Sequence, residues 1–115
     1  MVLGKTKGEI KMNHNIDFSR LEWIEVAIGF KYKAYICGNQ KIRLVEFSEG
    51  LKEPTWCKNG HSGYVVDGEC KIDFNGKIEC FKKGDILHIP TSEEDKHMVM
   101  MDKGGWVQMI LFEQL

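Results

Sequence analysis

The sequence predicts an all-β barrel or sandwich, and three observations predict it. Short runs that alternate apolar and polar residues recur along the chain. Turn signals such as Gly38-Asn39, Asp67-Gly68 and Asn75-Gly76 separate those runs. No helical period is sustained anywhere, and about nine short strands with regular turns are what such architectures contain.

Residues 1–25 are polar and weakly patterned, and are expected as an N-terminal arm partly docked on the body; His14 in it reads as a solvated surface residue. The stretch from Ile16 to Ile24 holds a short turn or strand. The barrel domain is expected over 26–115. Tyr32–Cys37 alternates and stops at Gly38-Asn39; Lys41–Phe47 follows and closes at Glu49-Gly50. Pro54–Cys57 is a short strand with proline at its start, where a missing donor is tolerated. His61–Val66 ends at Asp67-Gly68. Glu69–Phe74 and Lys77–Phe81 flank Asn75-Gly76, the strongest hairpin signal in the chain. Ile86–Ile89, Met98–Met101 and Trp106–Phe112 complete the set.

At 115 residues, 43% hydrophobic and 29% charged, the chain reads as one soluble domain. A formal net charge of −1, with the lysines and arginines dispersed, disfavours nucleic-acid binding. No apolar run approaches the ~20 residues that span a bilayer, so no membrane association is expected. The start lacks an apolar h-region, which makes the cytoplasm the expected location. Without a secretory signal, the four cysteines are expected as reduced thiols, with Cys37, Cys70 and Cys80 as small buried hydrophobes. If Asn75-Gly76 is a two-residue turn, Cys70 faces Phe81 and Cys80 faces Lys71. The two thiols then lie on opposite sheet faces and do not pair.

One segment stands out chemically. Gly50 is followed after four residues by Thr55-Trp56-Cys57, then after three by His61, then after six by Gly68. Further on, five residues separate Gly84 from Pro90, and His97 follows. This layout resembles the two motifs of the cupin superfamily, small jelly-roll barrels. The resemblance implies a cupin-type double-stranded β-helix from about Lys31 onward. It also implies where the exchanges fall. Thr55 and Cys57 stand where two histidines are usual, His61 where a glutamate is usual, and Ser92 where a glycine is usual; His97 arrives two residues late. The usual three-His-one-Glu set is therefore absent. The string Trp56-Cys57-Lys58-Asn59-Gly60-His61 also resembles a branch of small single-domain cupins.

The candidate metal ligands are Cys57, His61 and His97, because a thiolate with imidazoles suits Zn²⁺ first, with Ni²⁺, Fe or Cu as other occupants. Asn59-Gly60 permits the turn that returns His61 beside Cys57. The plainer reading makes Cys57 a buried small side chain, His61 an ordinary hydrogen-bonding residue, and His97 a strand-start histidine capped by the acidic Glu93-Glu94-Asp95 turn. Secondary candidates for lining a pocket are Glu53, Thr55, Tyr64 and His88. Packing serves His88 and the core serves Tyr64 and Trp56 equally well. Met98, Met100, Met101 and Met109 read as flexible fillers. The expected function is small-molecule binding inside the barrel, placed first as a metal-dependent enzyme and second as a non-catalytic binding or sensing barrel. Structural dimerisation is the third reading, and a homodimer is the expected assembly.

Overall fold

The protein is described by a computed structural model, which covers residues 14–52 and 56–115. A 3-10 turn, Phe18–Arg20, is capped by Asp17, whose Oδ1 accepts from the Ser19 N–H at 3.0 Å. Eight strands follow: β1 (Ile24–Ala27), β2 (Phe30–Cys37), β3 (Gln40–Ser48), β4 (His61–Phe74), β5 (Lys77–Lys82), β6 (Ile86–Ile89), β7 (Met98–Met100) and β8 (Trp106–Gln114). Every pairing between them is antiparallel. The order runs β1-β2-β3-β8-β4-β5, with β6 and β7 also paired to β4.

β4 organises the barrel. Its first half lies between β8 and β6; its second half lies between β5 and β7. The sequence predicts two strands here, broken at Asp67-Gly68, but the chain runs on as one strand of 14 residues. The reason is pairing. Asp67 and Gly68 stay bonded to Gln108 and Val107 of β8, and the irregularity is a bulge between Val65 and Asp67. A bulge adds one residue and increases bend and twist, which carries β4 from one sheet to the other. Gly68 has φ 77°, and a Cβ there would stand 2.2 Å from the Trp106 carbonyl oxygen. Only glycine fits that crossing.

The Asn75-Gly76 hairpin has the expected register, with Cys70 opposite Phe81 and Lys71 opposite Cys80. No disulfide joins any of the four cysteines. Cys70 is buried, and desolvation pushes its thiol up to about 12, with smaller contributions from Cys80 and Glu69. Cys37 and Cys80 are exposed, contrary to the expectation of burial. Cys37 sits at the tip of the β2–β3 hairpin, and Cys80 shares the outward face with Lys71. The expected strand Pro54–Cys57 reduces, within the described residues, to a single bridge between Cys57 and His97; 53–55 lie outside them.

Strand alternation separates the two faces. Ala34 and Ile36 of β2, Val45 and Phe47 of β3, Val107, Met109 and Leu111 of β8, Val65, Cys70 and Ile72 of β4, and Leu87 and Ile89 of β6 are buried. Most of them form one apolar cluster, edged by Phe30, Tyr32, Phe74, Phe81 and Val99. Each large side chain removed from water in this way stabilises by about 1.5–3 kcal/mol before conformational entropy is counted. Before β1, Trp23 packs on the outer side of β2, with Lys31 Nζ 4.5 Å and Lys33 Nζ 4.9 Å from its ring centroid.

Candidate functional site

The inward faces of β3, β8 and β4 are apolar at one end and charged at the other. On β3 the inward row runs Lys41, Arg43, Val45, Phe47; on β8 it runs Glu113, Leu111, Met109, Val107. Lys41 is registered with Glu113 and Arg43 with Leu111. His61 begins the inward row of β4, followed by Gly63 and Val65. β8 lies between the other two strands, so Glu113 is flanked by Arg43 on one side and His61 on the other.

The contacts are close. Arg43 Nη2 donates to Glu113 Oε2 at 2.5 Å, and His61 Nδ1 lies 3.2 Å from the same oxygen. All three side chains are largely buried, at 15%, 15% and 11% exposure for Arg43, Glu113 and His61. The His61 contact falls outside hydrogen-bond alignment, and Arg43 Nε is also buried without a hydrogen-bond partner among the described residues. Burial alone would raise the Glu113 carboxyl. The close approach of His61 and the charge and hydrogen bond of Arg43 outweigh it, and hold the group down at about 2. Arg43 Cζ is 5.0 Å and Lys41 Nζ is 5.6 Å from the Tyr32 ring centroid.

Cys57 and His97 join this end of the barrel from the neighbouring loops. Each donates its backbone N–H to the other's carbonyl at 2.9 Å, and residues paired in this way project to one face. His97 is 3% exposed. Its Nδ1–H donates to the Asp95 carbonyl at 3.0 Å, and its ring meets the His61 ring edge-on at 5.3 Å between centroids. The Cys57 thiol points to the Asn59 carbonyl at 3.7 Å. The turn before β4 depends on Gly60, where a Cβ would lie 2.1 Å from the Ile89 carbonyl oxygen. The Gly60 N–H donates to Thr91 Oγ1 at 2.8 Å, which fixes the approach of His61. Arg43, Cys57, Gly60, His61, Thr91 and Glu113 line a mouth of about 490 Å³, and His97 is buried outside its lining.

His97 thus touches both Cys57, through the backbone bridge, and His61, through the rings. Their chemistry suits a transition metal, and His97 is oriented as a metal-ligating histidine often is. Their placement does not complete a centre: among the described residues, no three His, Cys, Asp or Glu side chains are positioned to hold one ion. Glu53 and Thr55 lie outside the described residues.

Tyr64 and His88 are turned away from the interior. With His61, Gly63 and Val65 inward, Ser62 and Tyr64 must face out, and Tyr64 is 44% exposed. His88 is the direct partner of Ser62 on β6, and its Nδ1 is 2.7 Å from Ser62 Oγ. Ser62 and His88 border an outer groove of about 310 Å³, which adjoins the mouth and shares Lys41, His61, Thr91 and Glu113 with it.

Arg43 and Glu113 are the site residues that the motif reading misses. Their signal was strand parity: each carries a charge at an inward position, in line with Val45 and Phe47 or with Leu111 and Met109.

Comparison with protein-family models and with curated proteins finds no match. Solved structures do match. The polyketide cyclase RemF from Streptomyces resistomycificus superposes with a TM-score of 0.76 at 16% identity, over 90% of this chain and 80% of that one. KdgF from Halomonas sp. gives 0.64 at 21% identity, over 95% and 96%. An RmlC-like cupin from Shewanella frigidimarina gives 0.66 at 18% identity, over 88% and 91%. At these identities the likeness establishes the fold.

Proposed function

We propose that this cupin-fold barrel binds a small polar molecule at its open mouth, and that His61, positioned by Glu113, exchanges a proton with it. The observation that carries the reading is the Arg43–Glu113–His61 cluster, three ionisable side chains buried together beside a cavity of ligand size. A carboxylate at Nδ1 favours a proton on that nitrogen, which leaves Nε2 as the base. Alignment of such contacts commonly tightens only when a ligand is bound. The likeness to a polyketide cyclase supports an enzyme reading for a barrel interior of this kind; its substrate is not carried over.

The test is a mixed library of small acids, amides, sugars and amino acids, screened by thermal shift, with hits mapped by NMR. Hits that perturb His61 and Arg43, and that weaken in His61→Ala, are the expected result. Hits that map only to Ser62 and His88 of the outer groove, leaving His61 and Arg43 unmoved, overturn the reading.

A second reading places a divalent transition metal, zinc first, at Cys57, His61 and His97. The Nδ1 environments of both histidines favour it, because a carbonyl at one and a carboxylate at the other direct the ring lone pair to Nε2. Elemental analysis after metal loading tests it. Stoichiometric zinc that falls in Cys57→Ala supports it, and sub-stoichiometric metal in wild type rejects it.

The proposal extends to assembly and location. The outer face of β8, β4 and β6 exposes Phe112, Tyr64 and Ile86 as neighbours, which supports a homodimer through that face. The dispersed charge supports a small-molecule partner over nucleic acid. Four cysteines with no disulfide among them support a reducing compartment such as the cytoplasm, and no helix among the described residues is long and apolar enough to cross a membrane.

A further inference from the structure

We infer that the ligand of the mouth carries a carboxylate, seated between the Arg43 Nε–H and the Lys41 ammonium. The inference rests on the mouth being the binding place and names the chemistry it selects. Arg43 uses one edge of its guanidinium on Glu113, while its Nε–H, also buried, has no acceptor among the described residues. An unsatisfied buried donor costs about 1–3 kcal/mol, a cost that an incoming acceptor removes.

Charge then decides what kind of acceptor fits. Lys41 and Arg43 follow each other along the inward face of β3, and their charged groups stand 5.6 and 5.0 Å from the same Tyr32 ring. Glu113 is ion-paired with Arg43 and so neutralises one of the two cations. Among the side chains that line the mouth, one positive charge is therefore left over, before any proton on His61 is counted. The other nearby lysine, Lys58, is matched by Glu93 at 2.8 Å on the outside.

A neutral carbonyl satisfies the N–H and leaves that charge uncompensated, whereas a carboxylate satisfies both. The guanidinium is also held in place by Glu113 and by the Tyr32 ring, so little freedom is lost when the anion arrives. A carboxylate there stands on the same wall as His61, which places the rest of the molecule within reach of the proton-exchanging group.

The experiment titrates ¹⁵N-labelled full-length protein with succinate and, separately, with succinamide, its neutral counterpart. The readouts are the Arg43 Nε and His61 ring resonances. Succinate is expected to give a saturable shift at both, with succinamide weaker by about tenfold or more, the usual worth of one charge-assisted hydrogen bond. Arg43→Gln and Lys41→Gln should each weaken succinate by a similar factor. Arg43→Lys keeps the charge beside Glu113 and guards against loss of folding; it is expected to bind at an intermediate strength with little change in Tm.

Equal binding of succinate and succinamide at these residues overturns the carboxylate subsite while leaving the mouth as the binding place. So does wild-type affinity for succinate in both glutamine variants, or no response to succinate while library hits still map to the mouth. Inorganic phosphate binding more tightly than succinate replaces the carboxylate with a phosphoryl group. Library hits that all map elsewhere overturn the mouth itself.

Discussion

Glu113 serves two neighbours at once, and its titration reports on both. Its folded-state value of about 2 lies below the ordinary 4.5. The stabilisation is therefore complete above about pH 4.5 and is lost as pH falls towards 2. Discounted for solvent at the mouth, it amounts to about 2 kcal/mol. Glu113→Gln is expected to lose about that much at pH 7 and to converge on wild type near pH 2, as measured by urea unfolding across the range. A constant difference at every pH would contradict the ion-pair account. Arg43→Ala should cost more than Glu113→Gln at pH 7, about 3 kcal/mol, because it leaves a buried carboxylate with only the misaligned His61 contact.

At the scale of elements, β4 decides the architecture, and its crossing at Gly68 is the place to break it. Gly68→Ala puts a Cβ against the Trp106 carbonyl at a left-handed φ, and is expected to cost about 2–4 kcal/mol in thermal or urea unfolding. The same strand shows what the sequence could and could not convey. The Asn75-Gly76 hairpin was legible to the residue because a tight turn and its two strands pair locally. Asp67-Gly68 carries a similar signal yet makes no hairpin, because the residues around it pair with β8, about 40 positions on. Glycine and proline spacing gave away the barrel. Arg43 and Glu113 belong to no motif. They stand 70 residues apart in sequence, and only the β3–β8 register brings them together. Tyr64, expected in the core or on a cavity wall, is exposed because a one-residue change of parity reverses the face.

The whole molecule is a barrel with an apolar floor and a charged mouth, and an outer face less polar than its surroundings. If two copies join through Phe112, Tyr64 and Ile86, light scattering at about 50 µM should give a dimer for wild type, and Ile86→Asp with Phe112→Asp should give a folded monomer. A wild-type monomer would rule out that assembly. The core beneath has little slack, and Met109→Ala at its centre is expected to cost about 2–5 kcal/mol. The central claim, that the ligand enters the charged mouth, is tested most directly by a crystal structure of the protein with its tightest library hit. The account predicts density in the 490 Å³ mouth, within hydrogen-bond distance of His61 and Arg43. Density confined to the outer groove beside Ser62 and His88 would contradict it.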